Sequence, residues 1–531
     1  MELHGKSIIG GKAAASRGSK SFRAVNAATG QELSPVFYEA RPAEVDDALA
    51  LAEEAFEQYR QLPPVSIAGF LDRIGEEILK LGDELLGRAN AETALSLERL
   101  ATERARTINQ FKMFASLVLD GSWVEASIDR AVPDRKPVPK PDLRRMLIPI
   151  GPVAAFGASN FPLAYSVGGV DTCSALAAGC PVVVKAHPAH PGASEMVGRA
   201  IQAAVEAEGM PRGIFSMVQG ANEVGLRLVK HPATRAVGFT GSLAGGRALF
   251  DAASARPEPI PVFAEMGSTN PVFVLPGALQ KNGGAIAEGL VQSATLALGQ
   301  FCTSPGLVFG CRGGSWRAFV EKAGKLASAV EPGFMLHRGM GERFEAGAAR
   351  LQEIPGVRIA GKSPAASKGR VPALVLTTDA GAFREHAVLR EELFGPCTVL
   401  VACGSEAELQ QLARELPGQL TATIHGTEAD LARHGELVAI LRHKVGRLIF
   451  NQFPTGLEVC PSMQHGGPYP ATTDSRFTSV GAFAIKRFAR PVCYQNFPEA
   501  ALPAELRNQN PRRLWRLVDG KLTREDVAAN R

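Results

Sequence analysis

The sequence contains no Cys-x-x-Cys and no neighbouring histidine pair at zinc spacing, so its eight cysteines do not read as a structural metal knot. They are expected to be reduced thiols, with no metal. No apolar run reaches the roughly 20 residues needed to cross a bilayer; the richest stretch, residues 170–184, is broken by polar residues and Pro181. The start, Met1 to Lys6, lacks the charged segment and long apolar stretch of a secretory signal, which leads to the expectation of a cytoplasmic protein with no membrane partner. Neither sign of charge dominates: 58 basic residues face 53 acidic ones, a net charge of +5 over 531 residues, so no basic stripe is available for a nucleic acid to follow. Gly-x-Gly-x-x-Gly is absent, and Gly220 to Gly225 has the glycine spacing of a phosphate loop without its Lys-Ser/Thr. Ordinary Rossmann and ATP-binding readings lose support. There is no internal repeat.

What is present alternates. Residues 42–118 carry apolar positions three and four apart, the period of amphipathic helices. A Pro-rich charged interval, 131–142, reads as an extended arm. Short apolar runs follow at residues 146–150, 181–184, 214–218 and 236–240, each bounded by Gly or Pro and separated by enough chain for a crossover helix. These predict a doubly wound α/β domain. A second such series starts near Val262 and runs to about residue 450. The expected division is residues 1–128 and 146–261 in a first domain and 262–486 in a second, with 129–145 and 487–531 forming an arm and tail that could pair in a subunit contact.

Some of the residues that carry chemistry sit at the ends of such runs. Cys302 lies in Gln300-Phe301-Cys302-Thr303-Ser304, and Glu265 lies in Phe263-Ala264-Glu265-Met266-Gly267. A thiolate captures acyl groups and a separate carboxylate can activate the water that releases them, so the pair suggests thioester chemistry. An isolated Cys beside Phe is otherwise a small buried hydrophobe. Lys185 closes the Val182-Val183-Val184 run, where open sheets bind ligands, though a lone Lys there is also commonly solvated. Ser242, after Phe239-Thr240-Gly241, either caps a helix or meets a phosphate. The Asn160 amide, before Phe161-Pro162, is suited to an oxyanion or to a turn. A thiol hydrolase is disfavoured because no His stands out as the partner of Cys302.

Together these segments resemble the aldehyde dehydrogenase superfamily over about residues 25–500, the marks being Asn160-Phe161-Pro162, Lys185, Phe239-Thr240-Gly241-Ser242, Glu265-Met266-Gly267, Gly299-Gln300-Phe301-Cys302, Glu392-Leu393-Phe394-Gly395-Pro396 and Asn451. Within it, Lys185-Ala186-His187-Pro188 and His465-Gly466-Gly467-Pro468 look most like the α-ketoglutarate semialdehyde (2,5-dioxovalerate) dehydrogenases, with fatty-aldehyde enzymes as the alternative and a silent binding protein as a reading of another class. The resemblance implies two doubly wound α/β domains with a small β oligomerisation arm, a homodimer or homotetramer, and a small-molecule aldehyde as partner. It implies Cys302 as nucleophile, Asn160 as oxyanion donor and Glu265 as base for water. Lys185 and Glu392 would meet ribose hydroxyls, Ser242 and Gly241 the pyrophosphate, Gly225 and Phe394 the rest of the cofactor. Pro188 stands where NAD-preferring relatives place an acidic residue, so NADP is expected to be used well beside or ahead of NAD. By the same resemblance Arg104 pairs with the substrate's distal carboxylate, Phe161 lines the tunnel and Gly168 widens it, with Arg476 as another basic candidate.

Overall fold

The computed structural model describes residues 1–14, 18–364 and 369–527. Short β-branched and aromatic runs, too brief and too apolar for surface helices, form two mostly parallel seven-stranded sheets. The first runs in the spatial order Val262–Glu265, Ala236–Thr240, Val153–Phe156, Val182–Lys185, Phe215–Val218, Ser7–Ile9 and Lys12–Ala14. Its first five strands are parallel, and the two N-terminal strands extend it in antiparallel fashion. Val182 and Val184 pack on one face and Val183 on the other, the period-two alternation of a strand buried on both sides. Helices Pro64–Lys80, Leu97–Asp120 and Pro191–Ala207 cover one face, and helices Pro42–Tyr59, Asn222–Lys230 and Leu243–Ser254 the other. Chain order reverses between Val153–Phe156 and Ala236–Thr240, so a ligand crevice opens at the carboxyl ends of those strands.

The second sheet has the order Arg358–Lys362, Leu374–Asp379, Cys397–Cys403, Leu307–Cys311, Val272–Val274, Thr421–His425 and Arg447–Phe450, with only its first pair antiparallel. A five-stranded sheet joins Ala489–Gln495, Leu143–Pro149, Ser127–Asp129, Arg516–Val518 and Lys521–Thr523. The α/β class and the small β arm are therefore as expected. The strand Val262–Glu265 hydrogen-bonds within the first sheet, across the boundary expected at 261, and Leu143–Pro149 belongs to the arm sheet. No helix among the described residues is long and apolar enough to cross a membrane.

Buried carboxylates fix helix starts. Glu92, wholly buried, accepts from the amides of Gly192 (2.8 Å) and Ala193 (2.9 Å) at the first turn of Pro191–Ala207 and from Arg88 Nε at 2.9 Å. An anion there meets the unpaired amides and the positive end of the helix dipole. Glu92→Ala strands these donors and is expected to cost about 3 kcal/mol of stability, read from denaturant unfolding. A loss below about 1 kcal/mol would mean that water replaces the carboxylate.

Candidate active site

The loop carrying Cys302 is held by side-chain amides. It follows the single-turn helix Leu296–Gly299 and precedes strand Leu307–Cys311. Asn270 Nδ2 donates to the carbonyls of Cys302 (2.9 Å) and Ser304 (3.0 Å), and Gln419 Oε1 accepts from Ser268 Oγ (2.8 Å) and from the Thr269 amide (2.8 Å). Gly299 has φ +65° and lies so close to the chain that an added Cβ would stand 2.2 Å from the Gly395 carbonyl oxygen. Glycine alone fits that approach.

Around the thiol the expected groups converge. Asn160, on the loop after strand Val153–Phe156, is buried and donates one amide hydrogen to the Gln300 carbonyl at 3.1 Å, leaving the other for a ligand. Glu265 ends its strand beside Thr240 and is also buried. His465 Nε2 stands 3.4 Å from Cys302 Sγ and 3.1 Å from Glu265 Oε1, and Ser479 Oγ donates to Glu265 Oε2. The expectation that no His partners Cys302 is thus overturned. His465 belongs to a Gly-rich loop 163 residues downstream, and sequence distance hid a contact made only by folding. Burial alone would raise the Glu265 carboxyl, but the His465 ring, the Ser479 hydroxyl and the Cys302 thiol outweigh it and hold it below the usual range. Burial and the neighbouring Glu265 push the Cys302 thiol well up, with Arg106 opposing.

The cofactor candidates line the crevice of the first sheet. Lys185 is paired in register with Phe156, and Phe156 with Phe239, at the carboxyl edge. Lys185 Nζ donates to the carbonyls of Ala186 (3.0 Å) and Gly220 (2.9 Å), and burial lowers its ammonium to about 8. Gly225 lets helix Asn222–Lys230 press on this edge: a Cβ there would lie 2.9 Å from the Phe156 ring and 3.4 Å from the Lys185 stem. Ser242 caps helix Leu243–Ser254 by accepting from Gly245 N at 3.2 Å, and Gly241 N donates to the Glu265 carbonyl at 3.0 Å. Pro188 is exposed beyond Lys185. Glu392 and Phe394 line a second crevice with about 440 Å³ of open space beside Phe301. Glu392 is open to solvent along it yet walled by protein, which pushes its carboxyl up to about 7 against the opposing Ser268 amide. The helix start at Ser242 and the buried Lys185 ammonium offer amides and a cation that fit a dinucleotide phosphate.

Two substrate candidates are corrected. Arg104 Nη1 donates to the Gly82 carbonyl at 2.6 Å, tying helix Leu97–Asp120 to the start of Gly82–Thr93. At 100° per residue it points about 200° away from Arg106, so it is a packing residue on another face. Gly168 is buried against Val197, Ile78 and Phe111, where a Cβ would lie 2.8 Å from Val197 Cγ1; it permits close packing and widens no pocket. Phe161 does stand beside the thiol loop, its ring 5.4 Å from that of Phe301. Arg476 is exposed and paired with Asp474.

A profile of the Aldehyde dehydrogenase family matches residues 14–468. The "Alpha-ketoglutaric semialdehyde dehydrogenase 2" of Azospirillum brasilense is 48% identical over 524 residues, 98% of this chain and 100% of that protein. The "Alpha-ketoglutaric semialdehyde dehydrogenase" of Acinetobacter baylyi is 44% identical over 524 residues, 98% of this chain and 99% of that protein. Among solved structures, lactaldehyde dehydrogenase from Escherichia coli superposes with a TM-score of 0.80 at 21% identity, over 92% of this chain and 98% of that one, which speaks to the fold.

The environment of the thiol sets its reactivity toward alkylating agents. With the pKa raised, the thiolate is the minor form near neutrality, so iodoacetamide labelling of the Cys302 peptide, followed by mass spectrometry, keeps rising from about pH 7 to about pH 9. Glu265→Gln removes the adjacent negative charge and speeds labelling at neutral pH. A plateau below about pH 7, or slower labelling in the variant, would contradict this electrostatic account.

Proposed function

This chain belongs to the aldehyde dehydrogenase family, and on that premise we propose that it oxidises α-ketoglutarate semialdehyde to 2-oxoglutarate with NAD(P) as hydride acceptor. The reading is carried by one observation: a thiol, a carboxylate and an amide donor from three distant segments meet at Cys302, in a chain similar over nearly its full length to two proteins of that name.

The residues divide the work as follows. Cys302 attacks as the thiolate, its proton passing to solvent as Sγ bonds to the aldehyde carbon, and Glu265, held ionised, stays free to accept a proton from water. His465 Nδ1 has no partner among the described residues, which favours the tautomer with hydrogen on Nε2, facing the sulfur as a donor to the thiolate. The remaining Asn160 amide hydrogen and the Cys302 amide stabilise the oxyanion. A nicotinamide bound in the crevice of the first sheet would supply the hydride acceptor. The oxyanion re-forms a carbonyl as hydride leaves, giving a Cys302 thioester; Glu265 takes a proton from the water that hydrolyses it and returns that proton to the departing thiolate as the acid is released. A transfer to coenzyme A would need no such base. The silent-protein reading leaves the converged groups without a use. Copies are proposed to associate through the arm sheet, whose last two strands expose Leu517 and Leu522.

Cys302→Ala is expected to abolish turnover while the protein still binds cofactor, and Glu265→Gln to retain a burst of reduced cofactor with little turnover, followed by absorbance with and without coenzyme A. Near-normal activity in Cys302→Ala would end the reading. NADP is proposed to be used well because Pro188 leaves no carboxylate to repel a 2′-phosphate. If the Lys185 ammonium meets that phosphate, kcat/KM for NADP falls as pH rises through about 8, where the free enzyme loses this cation, while that for NAD falls less. A pH-independent ratio would remove Lys185 from this role, and an NAD preference of about a hundredfold, some 2.7 kcal/mol, would refute the NADP expectation.

A further inference from the structure

Helix Leu97–Asp120 turns an unusual face toward the thiol loop: Glu103, Thr107 and Gln110 are buried polar residues, and Arg99 and Arg106 lean over aromatic rings beside them. Arg99 is already engaged. Its Nη2 donates to the Asn160 carbonyl at 2.9 Å, its guanidinium lies over Phe161 and Phe301, and its charge faces Glu103 at 3.6 Å. Glu103 is itself engaged by the amides of Leu163 (2.8 Å) and Ala164 (3.0 Å). Two guanidiniums against one carboxylate leave one positive charge, and it falls to Arg106.

Arg106 has no acidic hydrogen-bond partner among the described residues. Nη2 donates to the Tyr165 hydroxyl at 3.0 Å, and Nε is enclosed with no partner. Tyr165, buried and pushed up as a phenol, keeps its own proton, which has no acceptor among the described residues. Arg106, Tyr165 and Phe161 are in contact, Phe161 meets Phe301 edge to face at 5.4 Å, and Phe301 precedes Cys302. The Arg106 charge acts on the Cys302 thiol, as does that of Arg447 from the last strand of the second sheet. Enclosed donors without an acceptor are costly unless a ligand supplies one.

We propose that Arg106 and the Tyr165 hydroxyl form a carboxylate subsite that holds the far end of a short ω-carboxylated aldehyde while its carbonyl reaches Cys302. This rests on the dehydrogenase reading above and replaces Arg104 as the selecting cation. In a five-carbon oxo acid the two terminal carbons lie about 5 Å apart when extended, a span on the scale of the Phe161–Phe301 ring spacing. A guanidinium can grip both carboxylate oxygens; a lysine ammonium cannot.

The test compares kcat/KM for α-ketoglutarate semialdehyde with that for pentanal, and the competitive inhibition constant of glutarate, in the full-length wild type, Arg106→Met and Arg106→Lys. The selectivity ratio is expected to drop by about 30-fold or more in Arg106→Met, with glutarate inhibition weakened in parallel and Arg106→Lys intermediate. Arg104→Ala should leave the ratio where it was. Equal losses for both aldehydes in Arg106→Met and Arg106→Lys, or glutarate inhibition unchanged in both, overturns the subsite. Wild type that prefers pentanal while glutarate still competes through Arg106 supports the subsite and instead defeats the substrate reading.

Discussion

A carboxylate buried against a thiol is an unfavourable pair, and the rest of the site is arranged around keeping it. Glu265 and Cys302 repel once both are ionised, and burial penalises each charge. The conflict is settled by donors from one segment. His465 and Ser479 address Glu265, while Thr473 and Met266 stitch the same stretch to the strand: Met266 N donates to the Ala471 carbonyl at 2.8 Å and Ala264 N to Thr473 Oγ1 at 2.9 Å. Glu265 therefore sits on the first sheet and the thiol on a loop of the second, with residues 465–480 as the suture. Because a shift of about 1 Å between reacting groups can cost two orders of magnitude in rate, a rigid seam matters more than either sheet alone.

The same device recurs wherever a loop must be fixed. Glu92, Glu103, Glu195 and Asp430 each accept two or more backbone amides across long sequence separations. A charge-assisted bond to an amide is stronger than a neutral one and offsets part of the desolvation cost, while a carboxylate with two acceptors fixes orientation as well as distance. Glu103 holds the loop that carries Asn160 and Phe161, so an anion on one helix positions the Asn160 amide on another segment. Asn270 does the equivalent for Cys302 with an amide, where a charge would disturb the thiol.

The sequence showed those parts of this arrangement that depend on strand ends. Glu265, Asn160 and Lys185 close or follow strands of the first sheet, and a parallel sheet brings such positions to one edge whatever the loops do, while Cys302 lies on a loop before a strand of the second. Residues whose roles depend on helix phase were not legible. Arg104 and Arg106 are both basic and two positions apart, and only the burial of Glu103 and Gln110 shows which face looks inward. That signal was present as polar residues at core spacing, and choosing Arg104 by resemblance missed it. Gly168 misled because a missing side chain near a tunnel looks like space, whereas Val197 and Phe111 already fill it. His465 stood in a motif noticed for its glycines. The N-terminal strands Ser7–Ile9 and Lys12–Ala14 are too short to announce themselves and exist because the sheet edge at Phe215–Val218 gives them a partner.

The distribution of charge ties these observations together. Lys185 is a buried cation hydrogen-bonded only to carbonyls, Arg106 is a cation with no hydrogen-bonded anion among the described residues, and Glu265 is an anion that outlasts burial. Each ligand then brings the sign that its end of the site lacks, and neither needs to disturb the centre. Arg106 also opposes the rise in the thiol pKa. A carboxylate that neutralises it withdraws some of that help just as the aldehyde arrives, making any thiolate formed more basic and a stronger nucleophile toward the carbonyl it faces. On the proposed subsite, one guanidinium therefore contributes to both binding selectivity and thiol reactivity, and altering it changes both.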